Sequence, residues 1–227
     1  MRVLCLIISL FISVVSFSQS YNYAIFCKDT LTSSYMAGRA YIDNGDKKAA
    51  EFIRGELKKN HVKLLGEDGF QSVPLKVNNI LEANLYVGFK GRKLELGKEF
   101  LVLGASPSCD LILKNEKAKV ISTKAELEKL KPHKLKDKVL VFNLGEIDNY
   151  TAIRFLRTLK EESNNPKLAI IQGQDELQYY TGRNVMSFPV VQLRDKIFSK
   201  KINRLKLSIK SEFHENYQSQ NVWAKVE

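Results

Sequence analysis

Three histidines, His61, His133 and His214, and three cysteines, Cys5, Cys27 and Cys109, are the side chains best suited to metal ligation or nucleophilic attack. Each histidine stands in a Lys-rich or polar stretch with no second His, Cys or carboxylate at ligand spacing on one element, so each reads as a surface group. No pair of cysteines has a two-residue gap, which excludes zinc ribbons and thioredoxin-type chemistry. No Gly-x-Ser-x-Gly elbow supports a serine hydrolase, and no Walker or dinucleotide glycine pattern follows a strand. Gly88-Phe89-Lys90-Gly91 belongs to a hairpin rather than to a phosphate cradle, and Asn149-Tyr150-Thr151 is a short match to the glycosylation pattern. No residue is nominated as catalytic, cofactor-binding or metal-binding.

The elements around these residues follow from hydrophobic period. Asp29 and Thr30 are placed to cap a helix through Leu31, Tyr35 and Met36 that Gly38 stops. Asp46 is placed to cap a second helix whose Ala49, Ala50, Ile53 and Leu57 share one face, with Lys58 and Lys59 in its last turn. That face has no helical partner in the residues that follow. From Phe70 the period changes to two: Leu85, Val87 and Phe89, a turn at Lys90-Gly91, then Leu94 and Leu96 predict a β-hairpin. Phe100 to Leu103 and Val120-Ile121 read as strands, and Thr123 with Glu126 forms a capping box for a helix that Pro132 ends. Lys138 to Phe142, the helix Tyr150 to Glu162, and Leu168 to Ile171 make a βαβ unit, whose two strands should be parallel. Phe188 to Val191 begins a further strand, Arg194 to Ser199 reads as a short helix, and Leu205, Leu207 and Ile209 alternate in a late strand. Asn221 to Glu227 alternates as a strand with no later partner, as if cut in mid-strand.

At 227 residues, 44% hydrophobic and 27% charged, the chain has the composition of a globular protein and excludes disorder, collagen and coiled coil. A body of this size buries about 70% of its unfolded surface without needing metals or disulfides. Arg2, the apolar run Val3 to Val15 and Ser16-Phe17-Ser18 form a secretory signal over residues 1–18, which predicts a secreted or periplasmic location. The run is shorter than the roughly 20 residues that span a bilayer, so no membrane anchor is expected. In an oxidising compartment Cys27 and Cys109 either close a loop or remain free. The net charge of +11 suggests anionic partners, but Lys and Arg are dispersed among acids, as in Lys124 to Lys138, so no nucleic-acid partner is expected.

Several short matches fall in order. Leu31, Ser33-Ser34, Gly38-Arg39, the break at Gly45 and Ala49-Ala50-Glu51-Phe52-Ile53 resemble the N-terminal stretch of exported zinc aminopeptidases of the family-28 metallopeptidase type. Lys136 to Phe142, the helix from Tyr150, Ala169-Ile170-Ile171 and Phe188-Pro189-Val190-Val191 resemble the protease-associated (PA) domain that many of these enzymes carry as an insertion. Gln220 to Glu227 is similar to the Asn-Val strand by which such chains re-enter the peptidase domain. Asn164-Asn165-Pro166-Lys167 departs from the pattern that relatives show before the next strand.

The resemblance implies an α/β (α+β) class fold: a PA-type mixed β-sheet or β-sandwich with flanking helices, plus an N-terminal helical arm. It implies a signal peptide at 1–18, the arm at 19–73, the PA insertion at 74–214 and the first strand of a truncated peptidase domain at 215–227. The family's zinc ligands and general base have no matching positions. Two zinc ions are therefore expected only in a peptidase domain beyond this chain, and the chain alone is expected to be inactive. Gly38 is expected to permit a turn, and Arg39 either pairs with a carboxylate of that domain or stands as a solvent-exposed charge. The face of Ala49, Ile53 and Leu57 is expected to dock there too. The expected partners are a peptide or protein substrate of the full-length enzyme and the peptidase domain itself. A free-standing exported PA-type binding module is the alternative, and a basic exported protein that binds an anionic surface is a third reading.

Overall fold

A computed structural model describes residues 21–159 and 164–226. The signal expected at 1–18, residues 160–162 of the helix expected to reach Glu162, and Glu227 lie outside them. The chain divides into two compact units, Met1–Val73 with Ser219–Glu227, and Pro74–Gln218.

In the first unit, α1 (Tyr21–Leu31) has no buried residue, and a 3-10 stretch, Ser34–Arg39, follows it. The cap expected at Asp29 and Thr30 is corrected: both lie in the last turn of α1, because the helix starts earlier. Gly38, at φ +66°, takes the left-handed conformation that turns the chain. Arg39 is exposed and makes no ion pair among the described residues. α2 (Gly45–Lys59) begins one residue before the expected cap, and Asp46 occupies its first turn. There the carboxylate favours the helix dipole, and it accepts a 2.7 Å hydrogen bond from Ser219 Oγ. Position 45 needs glycine because a Cβ there would strike the backbone oxygens of Met36 and Ala40.

The apolar face of α2 is partly covered within this unit, which corrects the expectation that it lacks a partner. Ala49 and Ala50 are buried, and the Phe52 ring meets Phe26 of α1 at 5.8 Å. Ile53 stays 39% exposed. Tyr23 donates its hydroxyl to Glu56 at 2.9 Å, and Lys59 pairs with Glu56 at 2.6 Å. The terminal strand also has a partner after all: β1 (Lys63–Leu64) pairs antiparallel with β10 (Ala224–Lys225), upstream rather than downstream in sequence. Backbone bonds from Leu65 to Trp223 and from Trp223 to Gly69, 2.9 and 2.8 Å, extend that contact.

The second unit is built on one mixed sheet. Its strands are β2 (Phe70–Val87), β3 (Arg92–Lys93), β4 (Phe100–Val102), β5 (Cys109–Ile121), β6 (Val139–Asn143), β7 (Leu168–Gln172), β8 (Val190–Leu193) and β9 (Lys201–Val222). Their order is β3-β2-β9-β5-β6-β7-β8-β4. The division between units falls inside β2 and β9. Strands β5 to β8 are parallel, so the βαβ reading holds for β6 and β7, while β4 and β9 run antiparallel to β8 and β5. The connecting helix α4 (Asn149–Leu156) is capped by Asp148, whose side chain accepts from Thr151 N–H. The shorter α3 (Lys124–Glu128) carries the expected Thr123–Glu126 capping box.

Alternation on β6 splits the core in two. Val139 and Val141 join Leu85, Leu94, Phe100, Leu205 and Leu207 on one side, so both halves of the sheet share a core and the sheet curls back on itself. Leu140 and Phe142 join Ile153, Leu156 and Phe188 under α4. Burying such side chains supplies about 25 cal/mol per Å² of apolar surface. Gly104 and Gly182 cross so closely that a Cβ on either would strike the other's backbone. Asn78 Nδ2 pins that crossing by donating to the carbonyls of Gly104 and Ser106, each at 2.8 Å.

In the hairpin, Leu85 and Val87 point inward with Leu94, whereas Phe89 is in the turn and 70% exposed, and Leu96 faces solvent. The helix expected at Arg194 to Ser199 is absent: this segment is irregular, and its Ile197 and Phe198 N–H groups donate to Gln172 Oε1 at 3.0 and 2.9 Å. A side chain here replaces the carbonyls that a helical turn would supply.

Candidate functional site

Parallel strands bring their carboxyl ends to one edge, where the following loops diverge and leave space. Here the loops after β6, β7 and β8 surround a cleft of about 850 Å³, reaching from Leu144 to Asn149, from Gly173 to Gln178 and from Arg194 to Lys196. Gly173, at φ +87°, has the Lys196 side chain packed where a Cβ would stand.

Asn149, Gln174 and Gln178 bring amides to the wall, and Gln172 and Gln192 lie behind it. Gln172 and Gln192 are fully buried and Gln174 is 5% exposed. Gln172 Nε2 donates to Asn143 Oδ1 at 2.7 Å and to the Phe198 carbonyl at 2.6 Å. Gln192 Oε1 accepts from Gln174 Nε2 at 3.1 Å and from Asn149 Nδ2 at 3.4 Å. Asn149 Oδ1 is buried and has no hydrogen-bond partner among the described residues. Four carboxylates, Asp148, Asp175, Glu176 and Asp195, line the space against Arg194 and Lys196. Asp148 is held below the usual carboxylate range, first by the backbone N–H of Thr151 at 2.6 Å and then by its hydroxyl at 3.0 Å. It is therefore committed to capping α4, and no nucleophile with an adjacent base lines the cleft. The cleft thus presents amides, four carboxylates and two cations to a polar molecule.

The residues weighed in the sequence are not gathered here. His61 follows α2 at φ +56°, His133 is exposed in the 3-10 turn Pro132–Lys134, and His214 lies 3.8 Å from Glu212 on β9. Cys27 and Cys109 are both free thiols, and burial pushes Cys109 up to about 11. The amide of Asn149, the acceptor of the glycosylation match, is instead bonded to Gln192. Among the described residues no three His, Cys, Asp or Glu side chains are placed to hold a metal ion. The buried glutamines escaped the sequence reading. Their signal is an amide within or at the end of an otherwise apolar strand, as in Leu168 to Gln172 and Val190 to Leu193.

Peptidase M28 precursor from Shewanella amazonensis SB2B aligns over 86% of this chain and 51% of its own, with 16% identity and a TM-score of 0.51. At the level of fold, the chain is similar to a family-28 peptidase. A zinc aminopeptidase from Bacillus subtilis (16% identity, 78% of this chain, 40% of its own) and an aminopeptidase from Aneurinibacillus sp. strain AM-1 (16%, 78%, 41%) align with TM-scores of 0.48 and 0.47. The chain thus spans about half or less of each solved structure. No protein-family model and no curated protein matches it. Among the described residues no helix is long and apolar enough to cross a membrane.

Proposed function

We propose that this chain is the non-catalytic N-terminal portion of a secreted or periplasmic zinc-dependent aminopeptidase. Residues 19–73 form a helical arm, 74–214 a PA insertion bounding the substrate cleft, and 215–227 the first strand of the peptidase domain. The observation that carries this reading is the fold likeness to a peptidase M28 precursor over 86% of the chain. Its partners are a peptide or protein substrate and the peptidase domain, with neither nucleic acid nor a membrane anchor. The two zinc ions belong to the peptidase domain.

Reading the gene beyond Glu227 tests this directly: a strand ending in His, followed two residues later by Asp, supports it, and a stop codon sinks it. In an assay of the chain by itself, no aminoacyl-anilide is turned over with added zinc; chelator-sensitive turnover overturns the assignment. The polar cleft at the carboxyl ends of β6 to β8 favours one second reading, a free-standing binding module. A stop codon together with saturable peptide binding that Gln174→Ala weakens would select it.

A further inference from the structure

A second feature of Pro74–Gln218 lies away from the amide cleft. The hairpin of β2 and β3 turns at Gly88 and Gly91, both at positive φ, and projects Phe89, 70% exposed. Gly88 N–H donates to the Arg204 carbonyl at 3.0 Å, which ties the hairpin to β9. Register then assembles an outer face from distant sequence. Tyr86 stands opposite Lys93, Lys206 opposite Ile112, and Arg204 opposite Lys114, while Leu85, Leu205 and Leu207 turn inward.

Lys93 and Lys206 place their ammonium groups 5.9 Å from the Tyr86 ring. Between Tyr86, Phe89, Lys90, Arg204 and Lys206 lies a hollow of about 390 Å³ that no carboxylate lines. Among the described residues Lys90, Lys93, Lys114, Arg204 and Lys206 make no ion pair, although much of the chain's charge is interleaved. Lys90, Arg204 and Lys206 thus share the hollow with the exposed Phe89, and Lys93, Lys114 and the 58% exposed Ile112 extend the same outer face.

We infer that this face docks reversibly on an anionic phospholipid surface, with Phe89 entering the headgroup boundary and the five cations meeting lipid phosphates. Cations near such a surface gain from its negative potential, and an aromatic at the boundary adds apolar burial. Single-stranded nucleic acid fits less well. It needs successive stacking platforms, whereas Tyr86 is flanked by two ammonium groups and Ile112 has no ring. This docking is peripheral and independent of any peptidase domain.

The test is sedimentation of the full chain with vesicles of phosphatidylcholine containing phosphatidylglycerol, against pure phosphatidylcholine as the baseline for any retained Val3 to Val15 run. Binding is expected on the anionic vesicles, with release as salt rises from about 0.05 to 0.5 M and the Debye length shrinks. Phe89→Ser and the pair Arg204→Glu with Lys206→Glu should each weaken it roughly tenfold or more. Lys58→Glu, on exposed α2, should leave it unchanged, and circular dichroism checks that every variant is folded. Equal binding to neutral vesicles, no anionic binding, or hairpin variants that bind like the parent overturn the proposal. So does a labelled oligonucleotide that binds the face while anionic vesicles do not.

Discussion

Val139, Leu140, Val141 and Phe142 are fully buried in the second unit, whereas α1 in the first buries no residue and α2 buries only Gly45, Ala49, Ala50 and Glu56. One unit rests on branched and aromatic side chains covered on both sheet faces. The other rests on small residues that let backbones approach and on a polar cluster of Tyr23, Glu56, Lys59 and Asn60. Apolar burial scales with area, so the first kind of core is worth far more per residue than the second. The single tryptophan, Trp223, lies in the first unit, so its fluorescence reports that unit while far-ultraviolet circular dichroism weighs the sheet.

The largest expected effect is that of Phe142→Ala, which leaves a cavity under α4 and should cost about 3–5 kcal/mol in urea denaturation followed by circular dichroism. Gln172→Ala removes the acceptor shared by Ile197 and Phe198 and should cost about 1–3 kcal/mol, with faster amide exchange at those two residues. Thr123→Ala breaks the capping box of α3, at about 1 kcal/mol. Ile53→Ala in the first unit should stay within about 0.5 kcal/mol; a loss rivalling that of Phe142→Ala would break the comparison.

The smallest effects are those of pH, because the groups concerned are exposed and screened. Backbone N–H groups of Ser122 and Thr123 hold Glu126 below the usual range, as Thr151 holds Asp148. Their contribution is present at neutral pH and fades as pH falls through their lowered values. Hydrogen bonding to Glu56 pushes Tyr23 up to about 12. Its contribution is complete below the ordinary tyrosine range and is lost as pH rises through 12, a step that phenolate absorbance would follow. Loosening of α1 in mild alkali, before Tyr23 ionises, would contradict this.

Much of the sheet was legible because Val139 to Phe142 and Leu168 to Ile171 are unbroken apolar runs, which only a strand covered on both faces needs. β5 was read only at its end: its polar outer face and the left-handed Asn115, φ +52°, interrupt the alternation. The segment from Arg194 was misread because the acceptor for its N–H groups comes from Gln172, more than twenty positions earlier. The cleft draws on three loops and the cationic face on strands a hundred residues apart. Local period carries neither, since pairing register alone brings those residues together.

The anchoring of Ile197 and Phe198 by Gln172 also bears on proteolysis. Arg194, Lys196 and Lys200 give trypsin three cleavage points in one exposed, irregular stretch. A protease needs several residues of freed backbone, and here the bonds next to Lys196 are tied into the sheet. Nicking at Lys196 therefore requires the Gln172 fork to release first, which makes the digestion rate at that bond a direct gauge of how often the carboxyl end of β7 opens.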